Sequence, residues 1–159
     1  QEALMEIRFA ENKDTAGILT LLKQVGGLHH SIRPDLFREK ACKYGPSQLF
    51  SLMESSDTPI FVAVEEDKVL GYCFCQVQVT EKNPVLNDRY CLYIDDLCVL
   101  EGCRGKHIGS ALYNEVVRYA KMRKCDAITL NVWEGNDAAK AFYEKMGFAP
   151  QKTVMEKVL

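Results

Sequence analysis

The sequence predicts a mixed α/β domain: one twisted sheet of six or seven strands with helices on both faces. Three observations point to it. The apolar segments alternate in the order β-α-α-β-β-β-α-β-α-β. Two central strand-like runs meet at the short turn Glu66-Asp67-Lys68, which makes them an antiparallel hairpin. Two later strands are joined through one helix, so they should run parallel by a crossover connection.

Met5 to Ala10 forms a short first strand. Asp14 can cap a helix whose apolar stripe is Ile18, Leu19, Leu22 and Val25, and Gly26-Gly27 is expected to end it. The segment Leu28 to Pro34 then reads as a loop. A second helical region is broken by Gly45-Pro46 and restarts at Ser47. Ile60 to Glu65 is a strand, Val69 to Val79 a long strand, and Tyr90 to Val99 another, with the Asn83-Pro84 loop before it. From Ile108 the residues Ile108, Ala111, Leu112, Val116, Tyr119 and Ala120 fall on one helical face, which runs to about Lys124. Ile128 to Trp133 is a strand with Ile128, Leu130 and Val132 on one face. Asn136 to Met146 is a helix closed by Gly147, and Phe148 onward returns as one or two strands.

The 159 residues suit a single domain over 1–159. With 47% apolar and 26% charged residues, the composition is globular. A net charge of −2 gives no electrostatic reason to bind nucleic acid or an anionic membrane. No apolar run reaches the roughly 18 residues of a membrane span, and no leader pattern opens the chain, so a cytoplasmic location is expected. Gln1 to Leu4 precede Met5 and are read as an addition before a native start. The seven cysteines, Cys42, Cys73, Cys75, Cys91, Cys98, Cys103 and Cys125, are an odd number set in apolar runs without a C-x-x-C pair. They read as reduced thiols packed like small hydrophobes, with no metal expected.

The most informative segment runs from Val99 to Ala111, where a strand ends, a glycine-containing turn follows and an amphipathic helix begins. Consecutive backbone N–H groups at a helix N-terminus suit a pyrophosphate, and Arg104 and Lys106 add positive charge. Gly105 and Gly109 allow close approach. It is not a P-loop, because His107 follows Gly105-Lys106 where Ser or Thr is needed one residue on from the lysine. Nor does it match G-x-G-x-x-G. Taken alone, the turn could equally be a plain helix start.

Arg104-Gly105-Lys106-His107-Ile108-Gly109 is similar to Gln/Arg-x-x-Gly-x-Gly/Ala, the signature of the GNAT superfamily of N-acetyltransferases, with His107 in place of the first motif glycine. Asn136 to Phe148 resembles the family's second block, N-x-x-A-x-x-F-Y-x-x-x-G-F, at the spacing the family uses. The resemblance implies the GNAT fold, in which parallel strands four and five splay apart, and acetyl-CoA as co-substrate. It implies that Leu97, Cys98 and Val99 supply backbone groups to the pantetheine arm. Arg104, Gly105, Lys106, His107, Ile108, Gly109 and Ser110 would hold the pyrophosphate, and Asn136 and Ala139 would face the arm. Tyr143 matches the family's general acid for the leaving thiolate, although a Phe-Tyr pair can also be plain core. A left-handed backbone at His107 would cost about 1–2 kcal/mol; the histidine either weakens coenzyme affinity or points its ring outward, and in both cases the backbone donors stay.

The resemblance is nearest to the diamine and small-amine branch. That branch has an acidic pair where this chain has Asp95-Asp96, with the first acid facing the amine, which implies Asp95 as the base. Adjacent strand residues point to opposite faces, so one of the two is expected at the substrate, and a structural hydrogen bond is expected of Asp96. Tyr93 would line the acceptor side. His29 and His30, on the expected loop, could relay a proton there or be exposed loop residues. The expected acceptor is thus a small primary amine such as a polyamine or amino sugar, with a protein acetyltransferase or a non-catalytic acetyl-CoA-binding module as alternatives. Asn131, where ribosomal-type protein acetyltransferases tend to carry Glu, argues against a peptide. By family analogy a homodimer is compatible with the exposed strand edges.

Overall fold

A computed structural model describes residues 4–159, so the reading of Gln1 to Ala3 lies outside the described residues. The elements are β1 (Glu6–Phe9), α1 (Thr15–Ile32), α2 (Pro46–Glu54), β2 (Ile60–Glu65), β3 (Lys68–Thr80), β4 (Arg89–Val99), α3 (Ile108–Met122), β5 (Ala127–Leu130) and α4 (Asp137–Lys145). The strands lie side by side in chain order. β1 through β4 pair antiparallel, and β4 and β5 pair parallel across the α3 crossover.

The alternation of side chains along the strands builds two apolar layers. On one face Phe61, Ala63, Cys73, Cys75, Leu92 and Ile94 pack beneath Ile108, Leu112, Val116 and Ala120 of α3. On the other, Val62, Val64, Tyr72, Phe74 and Cys98 pack against Ile18, Leu21 and Leu22 of α1 and Leu49 of α2. The mixed sheet and its two covered faces are as expected. All seven cysteines are free, and Cys73, Cys75, Cys91 and Cys98 are buried. Among the described residues, no helix is long and apolar enough to cross a membrane.

Three expectations are corrected. The sheet has five strands rather than six or seven, because nothing after Phe148 joins it. β5 is only four residues long and offers little edge, and Val154, Met155, Val158 and Leu159 remain exposed. Next, α1 runs through Gly26-Gly27 to Ile32. A Cβ at Gly26 would lie 2.2 Å from the Ala41 carbonyl oxygen, so this glycine lets the loop between α1 and α2 press onto the helix instead of ending it. That loop contains no helix; only the piece after Gly45 folds, with Pro46 in its first turn.

The third correction concerns Asp14. It stands at the start of α1, but its carboxylate does not cap that helix. It accepts from Arg8 Nη1 at 2.7 Å, Arg8 Nη2 at 3.1 Å and the Glu11 N–H at 2.8 Å. Burial opposes its charge, but the guanidinium and the backbone donor prevail and hold the carboxyl below its ordinary value. A lowered folded pKa stabilises the fold above the unfolded pKa and loses that contribution as pH falls. Arg8→Met should therefore strand a buried carboxylate and cost about 3–5 kcal/mol. Urea unfolding at pH 7 checks this, and the loss should shrink below about pH 4, where Asp14 is protonated in the unfolded chain.

Candidate functional site

The site begins where β4 and β5 part. Their ladder holds for Cys91↔Ala127, Leu92↔Ile128, Tyr93↔Thr129 and Ile94↔Leu130, then stops, while β4 continues to Val99 against β3. The Leu100 N–H donates to the Leu70 carbonyl at 2.8 Å, which fixes the alternation along this end of β4. Cys98 directs its backbone groups to β3, and Leu97 and Val99 direct theirs to the open side. The Val99 carbonyl accepts from Gln24 Nε2 at 2.9 Å. The Leu97 N–H and C=O and the Val99 N–H are left facing the gap. Of the three expected arm-binding residues, Leu97 and Val99 present backbone to it, and Cys98 does not.

The turn follows directly. Gly102 and Gly105 take φ of +87° and +83°, and His107 takes φ 59°, ψ 22°, a left-handed position. Arg104, Gly105, Lys106 and His107 are exposed. Ile108 is buried in the core, so it anchors the helix and offers only its N–H. The first N–H groups of α3, including those of Gly109 and Ser110, have no partner within the helix. A Cβ on Gly109 would meet the Phe142 ring at 3.5 Å and Val99 at 3.7 Å. Gly109 thus brings α3 close to α4 below the gap. Glycine turn, helix N-terminus and unpaired strand backbone together fit a phosphate-bearing ligand with an amide-containing arm.

On the same side, Asn136 caps α4 through the Ala139 N–H at 3.4 Å, so these two residues are spent partly on each other. Tyr143 packs edge-on to Phe142 and Phe148, with ring centroids 5.2 and 5.5 Å away. Burial pushes its phenol far above the ordinary value, and the neighbouring Cys73 thiol and Asp96 carboxylate add to it. The hydroxyl is therefore protonated at any working pH.

The acids lie at the point of parting. In the β3–β4 register Phe74 faces Asp96 and Cys75 faces Ile94, which leaves Asp95 as an extra, bulged residue. The bulge overturns the expectation that the two acids point to opposite faces. The Tyr72 hydroxyl donates to Asp96 at 2.5 Å, and the Tyr44 hydroxyl donates to Asp95 at 2.9 Å. Tyr72 and Tyr44 both pack on Phe74, on the α1–α2 face. Asp95 also holds Lys43 Nζ at 2.7 Å. Burial, with help from Asp95, raises Asp96 to about 6, against the hydrogen bond from Tyr72 and the charge of Lys43. Asp96 keeps the hydrogen bond expected of it, and burial also brings its proton affinity up toward neutral.

His29 and His30 sit in the last turn of α1, not on a loop. His29 packs on Phe37, which meets Trp133 edge-on, and burial followed by the charge of Lys43 keeps its ring below the usual pKa. His30 Nδ1 lies 2.7 Å from the Phe37 carbonyl oxygen, a contact that requires the proton on Nδ1. Tyr93 accepts from Asn131 Nδ2 at 3.1 Å, bridging β4 to the segment after β5. Sequence reasoning missed Lys43, Tyr44, Tyr72 and Gln24. Each acts through a tertiary contact and belongs to no motif.

Residues 27–148 match the acetyltransferase (GNAT) family. The chain belongs to that family. In structure it is similar to a mutant of the BH1408 protein from Bacillus halodurans, at 34% identity and a TM-score of 0.93, covering 97% of this chain and 99% of that one. In sequence it is similar to the uncharacterized N-acetyltransferase MJ1207 of Methanocaldococcus jannaschii, 30% identical over 65% of this chain and 44% of that protein. It is also 29% identical to N-alpha-acetyltransferase 30 of Schizosaccharomyces pombe, over 58% of each. The chain thus spans about half the length of the curated relatives it matches.

Two outcomes follow from this geometry. His107→Gly should remove the left-handed penalty and raise stability by about 1 kcal/mol, read by denaturant titration. The raised pKa of Asp96 stabilises the fold below its unfolded value and loses that contribution as pH rises through about 6. Between about pH 4 and pH 6 the melting temperature of the native protein should therefore fall relative to Asp96→Asn.

Proposed function

We propose that this chain transfers an acetyl group from acetyl-CoA to a primary amine of a small molecule. The observation that carries the reading is the coincidence, at the end of the Ile94↔Leu130 pairing, of an open strand edge and a carboxylate pair. The turn with its donors opens on the α3 side, and the acids open on the α1 side. In this reading the first N–H groups of α3, with Arg104 and Lys106, hold the pyrophosphate. Leu97 and Val99 hold the arm. A backbone N–H there can also stabilise the developing oxyanion.

Asp95 receives the acceptor as an ammonium. Loss of its proton is required for attack, because an alkylamine is protonated near neutral pH. Asp96, at about 6, and the neutral ring of His29 are the nearby groups able to relay that proton. Tyr143 gives a proton to the departing thiolate. A homodimer belongs to the same proposal, supported by the apolar C-terminal residues Val154, Met155, Val158 and Leu159, which are exposed in the single chain.

A second reading, acetylation of peptide N-termini, is favoured by the similarity to N-alpha-acetyltransferase 30. Thiol release from acetyl-CoA against a panel of small amines and N-terminal peptides separates the two. Turnover confined to peptides would overturn the small-amine assignment.

Tyr143→Phe removes only the oxygen and keeps the packing on Phe148. It should lower kcat on the order of 10²-fold with coenzyme affinity unchanged, and wild-type kcat with chemistry limiting would return Tyr143 to packing. Asp95→Asn should raise KM for cationic acceptors and lower kcat, again without weakening acetyl-CoA binding by calorimetry.

A further inference from the structure

The acceptor carboxylate is already holding a primary ammonium. Lys43 reaches Asp95 Oδ1 at 2.7 Å from the loop between α1 and α2. Its side chain is 50% exposed, whereas that of Asp95 is only 11% exposed, so the lysine reaches inward from solvent to an enclosed acid. Asp95 is the first residue of β4 beyond the last pair with β5, at the mouth of the gap. The backbone that carries Lys43 is held on both sides. Ala41 presses on Gly26, and Tyr44 stacks on Phe74 with ring centroids 5.4 Å apart. Only the flexible four-carbon stem is free to move. The charge of Lys43 is also felt by His29 and by Asp96, so the ammonium lies among the groups of the acceptor side and not outside them.

The geometry points to Lys43 as an acceptor supplied in cis: the protein acetylates its own Lys43 Nζ. The inference rests on the reading of Asp95 as the acceptor acid. The ammonium first loses a proton to solvent by way of Asp95. The nitrogen lone pair then attacks the thioester carbonyl carbon; the N–C bond forms and the C–S bond breaks. The nitrogen's surplus proton leaves for solvent, and the thiolate takes one through Tyr143. The sum is acetyl-lysine, free thiol and one released proton, with no other reactant. An acetylated Lys43 carries no charge, so its ion pair with Asp95 is broken and the carboxylate is open to an external cation.

The experiment incubates the full chain with acetyl-CoA and no added amine, and follows free thiol, intact mass and the modified peptide by mass spectrometry. The expected result is one acetyl group, located on Lys43, gained at a rate independent of protein concentration. That rate should exceed the label gained per lysine by the heat-unfolded chain. It should fall in Tyr143→Phe and in the presence of a small primary amine that the protein turns over. Lys43→Arg keeps a cation on Asp95 but offers no comparable nucleophile, and should stay unlabelled. An unmodified Lys43 in a protein that acetylates added amines would overturn this inference and leave the small-amine reading standing. Label spread over exposed lysines, equal in the heat-unfolded chain, would overturn it as spontaneous chemistry. Neither label nor thiol release with any amine would overturn both.

Discussion

Everything at the site depends on one interrupted ladder. A buried backbone amide without a partner is costly, so a strand edge inside a fold is normally paired or covered. Here β4 keeps its full antiparallel ladder with β3 to Val99, but its parallel ladder with β5 ends at Ile94. The rigid side fixes the strand, and the open side leaves donors and an acceptor aimed into a cleft. An extended amide-containing molecule can complete that ladder with little reorganisation of the protein, and α3 begins at Ile108, directly after the turn 100–107 that follows the strand. Preorganisation of this kind lowers the cost of ordering the ligand, not the energy of any single contact.

The bulge at Asp95 is the second consequence of the same strand. Without it, strict alternation would put one of the two acids on the α3 face among apolar neighbours. With it, both carboxylates open to the α1–α2 face, where two tyrosine hydroxyls and one ammonium receive them. Burial and the neighbouring charge of Asp95 both raise Asp96. The arrangement divides the load: Asp95 takes the cation, and Asp96, enclosed and given only a neutral donor, rises to about 6. One position is suited to holding a positive charge and the other to exchanging a proton near neutral pH. The division comes from their different partners, since the residue type is the same.

Local signals were legible in the sequence. The α3 stripe, the turn with its glycines, the Gly147 stop of α4 and the order of β1 through α4 follow from periodicity and turn chemistry, and each recurs in the fold. What sequence could not show was decided by pairing. Gly26-Gly27 carries the usual signature of a helix end, but a close approach by Ala41 requires the same residue with the helix intact, and this moves His29 and His30 onto α1. The Asp95 bulge exists only relative to β3, so no count along β4 alone could place it. The segment after Phe148 has strand composition without a partner strand, and composition does not supply the ladder. Lys43 and Gln24 lie in unremarkable stretches and become site residues only through contacts across 52 and 75 positions.

Gln24 shows why the two sides of the cleft behave as one body. Its amide, on α1, donates to the Val99 carbonyl at 2.9 Å and accepts from the Glu101 N–H at 2.9 Å. Those groups flank the end of β4 and the start of the phosphate-type turn, where a strand must give way to irregular backbone and ladder bonds run out. A side chain with one donor end and one acceptor end satisfies both at once. The helix that supplies it also carries His29 about a turn and a half further along. The wall that carries His29 and the wall formed by the glycine turn are thereby fastened through a single helix, and the left-handed strain at His107 is borne by a turn whose two ends are fixed, by Gln24 before it and by the buried Ile108 after it.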